Sequence, residues 1–161
     1  YVCNVDEASA VIGNHFSRSV QEMAKEQGAK VEVISAVIEE EISQLNEQDV
    51  KLFLEDLGLN TTGLDRVIDS GYKMLDLITF FTVGPKETRA WTIPFGTFAP
   101  QGAGKIHGDF EKGFIRAETV SYSDFVVSNG ETGAKEAGKL RAEGKNYQIK
   151  DGDILHFLFN K

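Results

Sequence analysis

The chain has 161 residues, 41% of them hydrophobic and 26% charged, with a formal net charge of −8. These values are typical of a globular protein with one good core or two small ones, and they exclude a largely disordered chain. No apolar run approaches the roughly 20 residues of a membrane span, and the first residues lack the charged and apolar regions of a secretory signal.

The charge is distributed unevenly. Up to Thr79 there are 6 Lys and Arg against 15 Asp and Glu, a net charge of −9, and from Phe80 onward there are 11 against 10, a net charge of +1. Because Lys and Arg supply nucleic-acid affinity by neutralising phosphates, only the second half is suited to face RNA.

The single cysteine indicates the cellular compartment, and the first residue indicates whether the chain is a fragment. Cys3 cannot form an internal disulfide, and the lack of a secretory signal favours the reducing cytoplasm with no membrane attachment. The chain begins without Met, directly in a strand-like run, so we interpret it as a fragment of a longer protein.

Residues 1–45 predict a β-α-β-α unit. A short apolar run ends at Asn4, a helix is predicted over about 16–27, and a strand over 31–34 leads directly into a second helix. The crossover implies parallel strands, and ligands of such sheets lie at the carboxyl ends of the strands. The residues that follow the two strands are therefore candidate ligand contacts: Asn4, Val5 and Glu7 after the first, and Ser35 and Ala36 after the second.

These two clusters resemble the base-recognition motifs of the P-loop GTPase class, which usually read Asn-Lys-x-Asp and Ser-Ala-Lys. In that class the Asp carboxylate accepts two hydrogen bonds from guanine, and adenine is rejected because it lacks those donors. Here the fourth position is the longer Glu7, and Val5 replaces the Lys that would flank the base. A lone Asn-x-x-Glu is usually a turn, so the interpretation depends on Ser35 and Ala36 after the next strand.

Residues 46–77 predict a helical connector. Apolar residues at helical spacing predict one helix over 49–57, ended by Gly58, and a second that starts near Thr61 and Thr62. We expect the apolar residues to form core rather than a groove for a partner.

Residues 78–161 predict an α+β domain. Strands over 79–83 and 89–93 form a hairpin, followed by a helix over 100–112 that Gly102 and Gly104 weaken. Further strands are predicted over 114–120, 146–149 and 154–159, the last as a buried-edge strand. A hairpin followed by a helix is typical of a β-grasp.

The second half carries strings that resemble a known family. The sequences AWTI at 90–93, GFIRAE at 113–118, GAKEAGKLR at 133–141 and DGD at 151–153 are similar to the TGS domain that ends the Obg-like ATPases (the YchF family). The similarity extends upstream to the first residue. It implies an α/β remnant of a P-loop NTPase domain over 1–45, a helical connector over 46–77 and a ubiquitin-like β-grasp (TGS) domain over 78–161.

The resemblance also implies a function for the longer protein. That protein would hydrolyse ATP, or GTP, with Mg²⁺ and associate with RNA or the ribosome through its TGS domain. Asn4 would brace the site and offer its amide to the base, Glu7 would lie near the base, and the Ala36 N–H would meet its edge. ATP is implied because this family carries Asn-x-x-Glu.

Several other residues are of types that can carry catalytic or metal chemistry. The Gly102, Gly104 and Lys105 spacing does not match a P-loop, so no catalytic residue is assigned and this chain alone is not expected to hydrolyse nucleotide. The acidic run 39–41 is interpreted as the solvated first turn of a helix rather than a metal site. His15, His107 and His156 receive no catalytic role, and no metal ligand is assigned.

Four basic residues are candidate RNA or ribosome contacts: Lys135, Lys139, Arg141 and Lys145. Acids are interleaved among them, and an ordinary solvated face explains the pattern at least as well. Two other functions therefore stay open. The chain would be a stand-alone RNA-, ribosome- or protein-binding module without catalysis, or its TGS domain would serve as a lid or dimer contact.

Overall fold

The structure is a computed structural model that describes residues 1–160, and it divides into two compact units. The first unit is Tyr1–Met74, and the second begins at Leu75. Each unit has its own sheet. Within the described residues, every helix is too short or too polar to cross a bilayer.

The first unit is built on two parallel strands, β1 (Val2–Asn4) and β2 (Glu32–Ile34). The crossover between them contains a short 3-10 helix (Glu7–Ser9) and α1 (His15–Glu26). α1 begins at a reciprocal cap in which the Asn14 and Ser17 side chains each accept the other's backbone N–H. α2 (Ala36–Ser43) follows β2 directly, so the predicted β-α-β-α order is observed.

Two further helices, α3 (Glu47–Asp56) and α4 (Gly63–Met74), belong to the same unit. The helices predicted as a separate connector over 46–77 therefore fall within the first unit, because α4 packs against β2. Arg66 of α4 donates to the Val33 carbonyl oxygen at 2.8 Å. At the start of α4, Thr62 Oγ1 accepts from the Asp65 N–H at 3.0 Å, as its predicted capping role requires.

The second unit is a mixed five-stranded sheet. β3 (Leu77–Val83) and β4 (Thr88–Pro94) form an antiparallel pair, which confirms the predicted hairpin. β7 (Asp153–Phe159) is parallel to β3 and antiparallel to β5 (Phe114–Ser121). β6 (Arg141–Glu143) pairs with the far side of β5, so the strand order is β4-β3-β7-β5-β6.

The helices of this unit are α5 (Ala99–Ile106), α6 (Gly108–Lys112), α7 (Tyr122–Val127) and α8 (Glu131–Glu136). The main core lies between α5 and the sheet and centres on the fully buried Phe80. α5 approaches the sheet closely because it presents small residues there: Ala99, Gly102 and Ala103. Trp91, the single tryptophan of the chain, packs against this core.

Three sequence predictions for this unit are wrong. The helix predicted over 100–112 is two helices, α5 and α6, which are separated by the extended backbone of His107. The strand predicted over 146–149 makes one isolated bridge, between Phe98 and Gln148, and the neighbouring strand is β6 instead. The last strand was expected at an edge, but β7 lies in the interior of the sheet between β3 and β5.

Candidate functional site

The parallel pairing of β1 and β2 brings the two candidate clusters of the first unit together. Asn4 is the last residue of β1, and Ala36 is the first residue of α2, just after β2. The Ala36 N–H donates to Asn4 Oδ1 at 2.9 Å across 32 residues of sequence. Asn4 therefore braces the loop between β2 and α2.

The other three predicted residues lie in different environments. Glu7 is exposed, in a 3-10 helix whose N-terminus is capped by Asp6, which accepts from the Ser9 N–H at 3.0 Å. Val5 is 8% exposed and Ser35 is 2% exposed. Their side chains are enclosed within the unit, so they support this edge of the sheet rather than line it.

The donors and acceptors at this edge define what it can bind. The Ala36 N–H, which was expected to meet a base, is already bonded to Asn4. The α2 N–H groups of Val37 and Ile38 precede the first intrahelical bond of that helix, which the Glu39 N–H makes to the Ser35 carbonyl. Together with the Asn4 amide, these N–H groups are hydrogen-bond donors at the carboxyl ends of the two strands, and Glu7, in the 3-10 helix that follows β1, is an exposed acceptor.

Glu39 has a structural role that the sequence did not reveal. It was interpreted as part of a solvated acidic face, but its carboxylate accepts from the Gly63 N–H at 2.7 Å and from the Leu64 N–H at 3.1 Å. It thus caps the N-terminus of α4 from 24 residues away. Among the described residues, no three acidic, histidine or cysteine side chains gather as a metal site would require.

Replacing Glu39 with Gln is expected to loosen the start of α4. The amide keeps one acceptor oxygen but loses the charge and the second acceptor, so we expect a loss of about 1 to 2 kcal/mol. Hydrogen exchange should show faster exchange of the α4 amides. Glu40→Gln is the matched control, because Glu40 is exposed, and equal exchange rates in the two variants would contradict the capping role.

The four candidate RNA contacts of the second unit divide into two pairs. Lys139 lies 3.6 Å from an Asp124 oxygen, and Arg141 bonds Glu143 at 3.0 Å and the Tyr147 hydroxyl at 3.3 Å. These two side chains are engaged within the chain. Within the described residues, no hydrogen bond or ion pair engages the exposed side chains of the other two, Lys135 and Lys145.

Arg141 belongs to a network around a buried carboxylate. Asp153 is 3% exposed and accepts from the Tyr147 hydroxyl at 2.7 Å and from the Lys150 N–H at 2.9 Å, while the Arg141 guanidinium lies 3.8 Å away. Burial and the hydrogen bond to Asp153 raise the pKa of Tyr147 to about 12. The pKa of Asp124, the partner of Lys139, is lowered from its ordinary value. The main cause is the hydrogen bond from the Ser121 hydroxyl, and the positive charge of Lys139 adds to it.

Tyr147→Phe should reveal this network in alkaline solution. The folded pKa of about 12 lies above the usual tyrosine value of about 10, so the folded state holds the proton more tightly. The stability that the hydroxyl contributes is present below pH of about 10 and is lost as the pH rises towards 12. Urea midpoints read from Trp91 fluorescence should therefore differ between wild type and variant near pH 8 and converge above pH 10. A constant difference would contradict this coupling.

The histidines lie in ordinary structural settings. His107 Nδ1 accepts from the Asp109 N–H at 3.2 Å at the start of α6. His156 is an exposed residue of β7, and His15 begins α1 beside the Phe16 ring.

The second unit matches a family almost from end to end. Residues 77–160, just over half of the chain, match YchF-GTPase_C, described as a protein of unknown function (DUF933). The chain belongs to the YchF family. The matched residues include the whole five-stranded sheet and the Asp153 network, whereas the Asn4–Ala36 edge lies before them.

Curated YchF relatives extend the similarity over the first unit. The chain is 53% identical over 160 residues to the ribosome-binding ATPase YchF of Escherichia coli O157:H7, and 49% identical over 162 residues to the protein of the same name from Bacillus subtilis strain 168. Both alignments cover 99% of this chain and 44% of the relative. The chain therefore spans less than half the length of the YchF proteins that it matches.

Solved structures give the same result for the fold. The YchF GTPase of Schizosaccharomyces pombe matches with a TM-score of 0.84 and 34% identity, over 98% of this chain and 42% of the other. A GTP-binding protein from Pyrococcus horikoshii OT3 matches with a TM-score of 0.66 and 17% identity, over 99% of this chain and 45% of the other, which supports the fold alone. The α/β fold is thus that of YchF structures.

Proposed function

We propose that this chain is part of a nucleotide-binding ATPase or GTPase, to which it contributes the base-recognition edge and a TGS domain that associates with the ribosome. The observation that carries the proposal is the hydrogen bond between Asn4 Oδ1 and the Ala36 N–H, which joins the two motifs at one edge of the parallel strands. The names of the relatives, ribosome-binding ATPase YchF and YchF GTPase, support both halves of the proposal.

Three groups would read the base at this edge. The Asn4 Oδ1 is used by Ala36, so Asn4 would donate to the base through its Nδ2 group. The exposed Glu7 carboxylate would accept from an exocyclic amine, and the first N–H groups of α2 would donate to a ring acceptor. Adenine and guanine both offer an exocyclic amine and ring acceptors, so this arrangement accommodates ATP and GTP, and the resemblance to the Asn-x-x-Glu family is what favours ATP.

Mg²⁺ is implied by the resemblance as the partner of the nucleotide phosphates. The described residues include no cluster of three acidic, histidine or cysteine side chains, so we assign no metal ligand within them. At the proposed nucleotide site, the first unit of this chain would bind and orient the base.

The second unit would supply the ribosome-facing surface. Its mixed sheet, with β3 parallel to β7 and α5 packed over the core, supports a ubiquitin-like β-grasp of the TGS type. Lys135 and Lys145 are the predicted contacts whose charges are not engaged within the described chain, so they are the ones suited to phosphates.

The proposal is tested first by the intact mass of the polypeptide as its source cell makes it, which should lie well above 17.8 kDa. In that polypeptide, Asn4→Ala should weaken binding of fluorescent ATP and GTP analogues about tenfold, because it removes a base contact and the brace on the α2 loop. Asn60→Ala is the control, since Asn60 is exposed and lies outside the predicted edge. Unchanged nucleotide affinity in Asn4→Ala would reject the base-recognition role.

A second candidate function is a stand-alone RNA-binding module. The observation in its favour is charge, because the half of the chain from Phe80 onward has a net charge of +1 whereas the half before it has −9. Salt-dependent RNA binding by this chain that is indifferent to ATP, together with an intact mass of 17.8 kDa, would favour it over the nucleotide hydrolase.

A further inference from the structure

One cleft of the second unit places an exposed aromatic ring beside amide and ammonium groups. The Ala99 N–H donates to the Tyr147 carbonyl at 2.8 Å, and the Ile149 N–H donates to the Thr97 carbonyl at 3.0 Å. These bonds flank the bridge between Phe98 and Gln148, so those two residues form a non-hydrogen-bonded antiparallel pair. Side chains in such a pair lie close together on one face.

The surrounding residues complete an open cleft of about 570 Å³. We call it the Phe98 cleft, and the lining residues used here are Phe98, Lys145, Asn146, Tyr147, Gln148 and Lys150. Phe98 is 38% exposed, although aromatic rings of this size are usually buried when they serve only the core.

The backbone beneath the cleft is held in place. The Tyr147 hydroxyl bonds Asp153, the Lys150 N–H bonds the same carboxylate, and Ile149 is 2% exposed in the core. On the other side, the Phe98 N–H donates to the Gln101 side chain at 3.1 Å. A partner would therefore meet a surface that is already ordered, which lowers the entropic cost of binding.

The charges at the cleft favour an anion. Lys145 and Lys150 are exposed, and no hydrogen bond or ion pair engages their ammonium groups within the described residues. The one carboxylate that lines the cleft, Glu143, is held by Arg141 at 3.0 Å. The exposed Asn146 and Gln148 amides are available as donors and acceptors.

We propose that the Phe98 cleft binds single-stranded RNA, with one base stacked on Phe98, its edge against Gln148 and Asn146, and the flanking phosphates at Lys145 and Lys150. Exposed aromatic rings, side-chain amides and lysines are the groups that recognise unpaired nucleotides. Duplex RNA does not fit, because its bases are stacked on one another and offer no free face. The inference rests on the proposed ribosome association and names a surface for it.

The test measures anisotropy of a labelled single-stranded ten-nucleotide RNA with the 161-residue chain. Phe98→Leu should weaken binding about tenfold, because a leucine side chain keeps apolar bulk but cannot stack, whereas Phe98→Tyr should bind as wild type does. Phe95→Leu is the matched control, since Phe95 is 74% exposed and lies outside the cleft. Gln148→Ala is a second variant within the cleft and should also weaken binding, because it removes the amide at the edge of the base. Trp91 fluorescence checks that each variant is folded.

The salt dependence of RNA binding tests the role of the lysines. Lys145→Gln should reduce the slope of log affinity against log salt by about 0.7, the value for one phosphate of a single strand, whereas Lys112→Gln should leave it unchanged. Binding of duplex RNA as tight as that of single strands, or equal affinities for Phe98→Leu and Phe95→Leu, would overturn the proposal.

Ribosome co-sedimentation of the same proteins distinguishes the proposed ribosome association from the proposed role of the Phe98 cleft. If wild type sediments with ribosomes and Phe98→Leu does so equally, the cleft is not the contact and the proposed association stands. If wild type does not sediment with ribosomes, the proposed association fails, whatever the short RNA shows. Loss of both RNA binding and sedimentation in Phe98→Leu, with Phe95→Leu unaffected, is the result that we expect.

Discussion

Asp153→Asn is expected to destabilise the second unit by about 3 kcal/mol. The carboxylate is buried, and it accepts from the Tyr147 hydroxyl and the Lys150 N–H near the Arg141 guanidinium. An amide removes the charge that Arg141 balances and turns a donating group towards donors. Urea unfolding followed by Trp91 fluorescence measures the loss, because Trp91 packs against the core of this unit.

Asp109→Asn is the control for this change. Its side chain is 72% exposed, so the same substitution there should shift the unfolding free energy by less than about 0.5 kcal/mol. Equal and small shifts in both variants would mean that the buried network contributes little to stability.

Gly133→Ala is expected to cost about 3 kcal/mol by overpacking. A methyl group at this position of α8 would overlap the carbonyl oxygen of Ser128, which is backbone and not a movable side-chain tip. Ser128 is itself fixed, since its N–H donates to the Asp124 carbonyl at 2.9 Å. The segment between α7 and α8 must therefore shift to admit the methyl group, and the Trp91-monitored midpoint should fall.

Gly108→Ala is the matched control for Gly133→Ala. Gly108 is also a helical glycine of the second unit, but no atom lies within 4 Å of the position that its methyl group would take. Alanine there should stabilise the unit by about 0.5 kcal/mol, because it restricts the unfolded chain. Shifts of the same sign in the two variants would show that the contact with Ser128 is not the cause.

The sequence predicted correctly those secondary-structure elements whose signals lie within short stretches of the chain. The hairpin of β3 and β4 follows from β-branched and aromatic runs on both sides of a turn, and its register is continuous from Leu77↔Pro94 to Val83↔Thr88. The β-α-β-α order of the first unit follows in the same way from apolar spacing and caps. Both depend on residues that are close together in sequence.

The wrong predictions of secondary structure lie where pairing with residues distant in sequence determines the structure. β6 has three polar or small residues, Arg141, Ala142 and Glu143, and is a strand only because β5 pairs with it. Residues 146–149 have a strand-like composition, yet within the described residues they form a single β-bridge, between Gln148 and Phe98. The short helices α7 and α8 were not predicted, since six residues carry too little periodicity.

The candidate site also has features that the sequence predicted and features that depend on distant side chains. The motif spacing and the resemblance placed Asn4 beside Ala36, and the structure has them hydrogen-bonded. The sequence could not show that Val5 and Ser35 are enclosed, that Glu39 reaches across to α4, or that Arg141 is held by Glu143 and Tyr147. Each of these depends on side-chain partners that no local spacing encodes.

The strand order of the second unit also bears on its behaviour at high concentration. Its outer strands are β4 and β6, whose free edges would otherwise recruit strands from another molecule. β6 is three residues long and carries Arg141 and Glu143, while β4 includes Arg89 and ends at Pro94, which has no N–H to donate. Such edges resist strand addition, so this sheet is protected against polymerising edge to edge even though its strands are rich in aromatic residues.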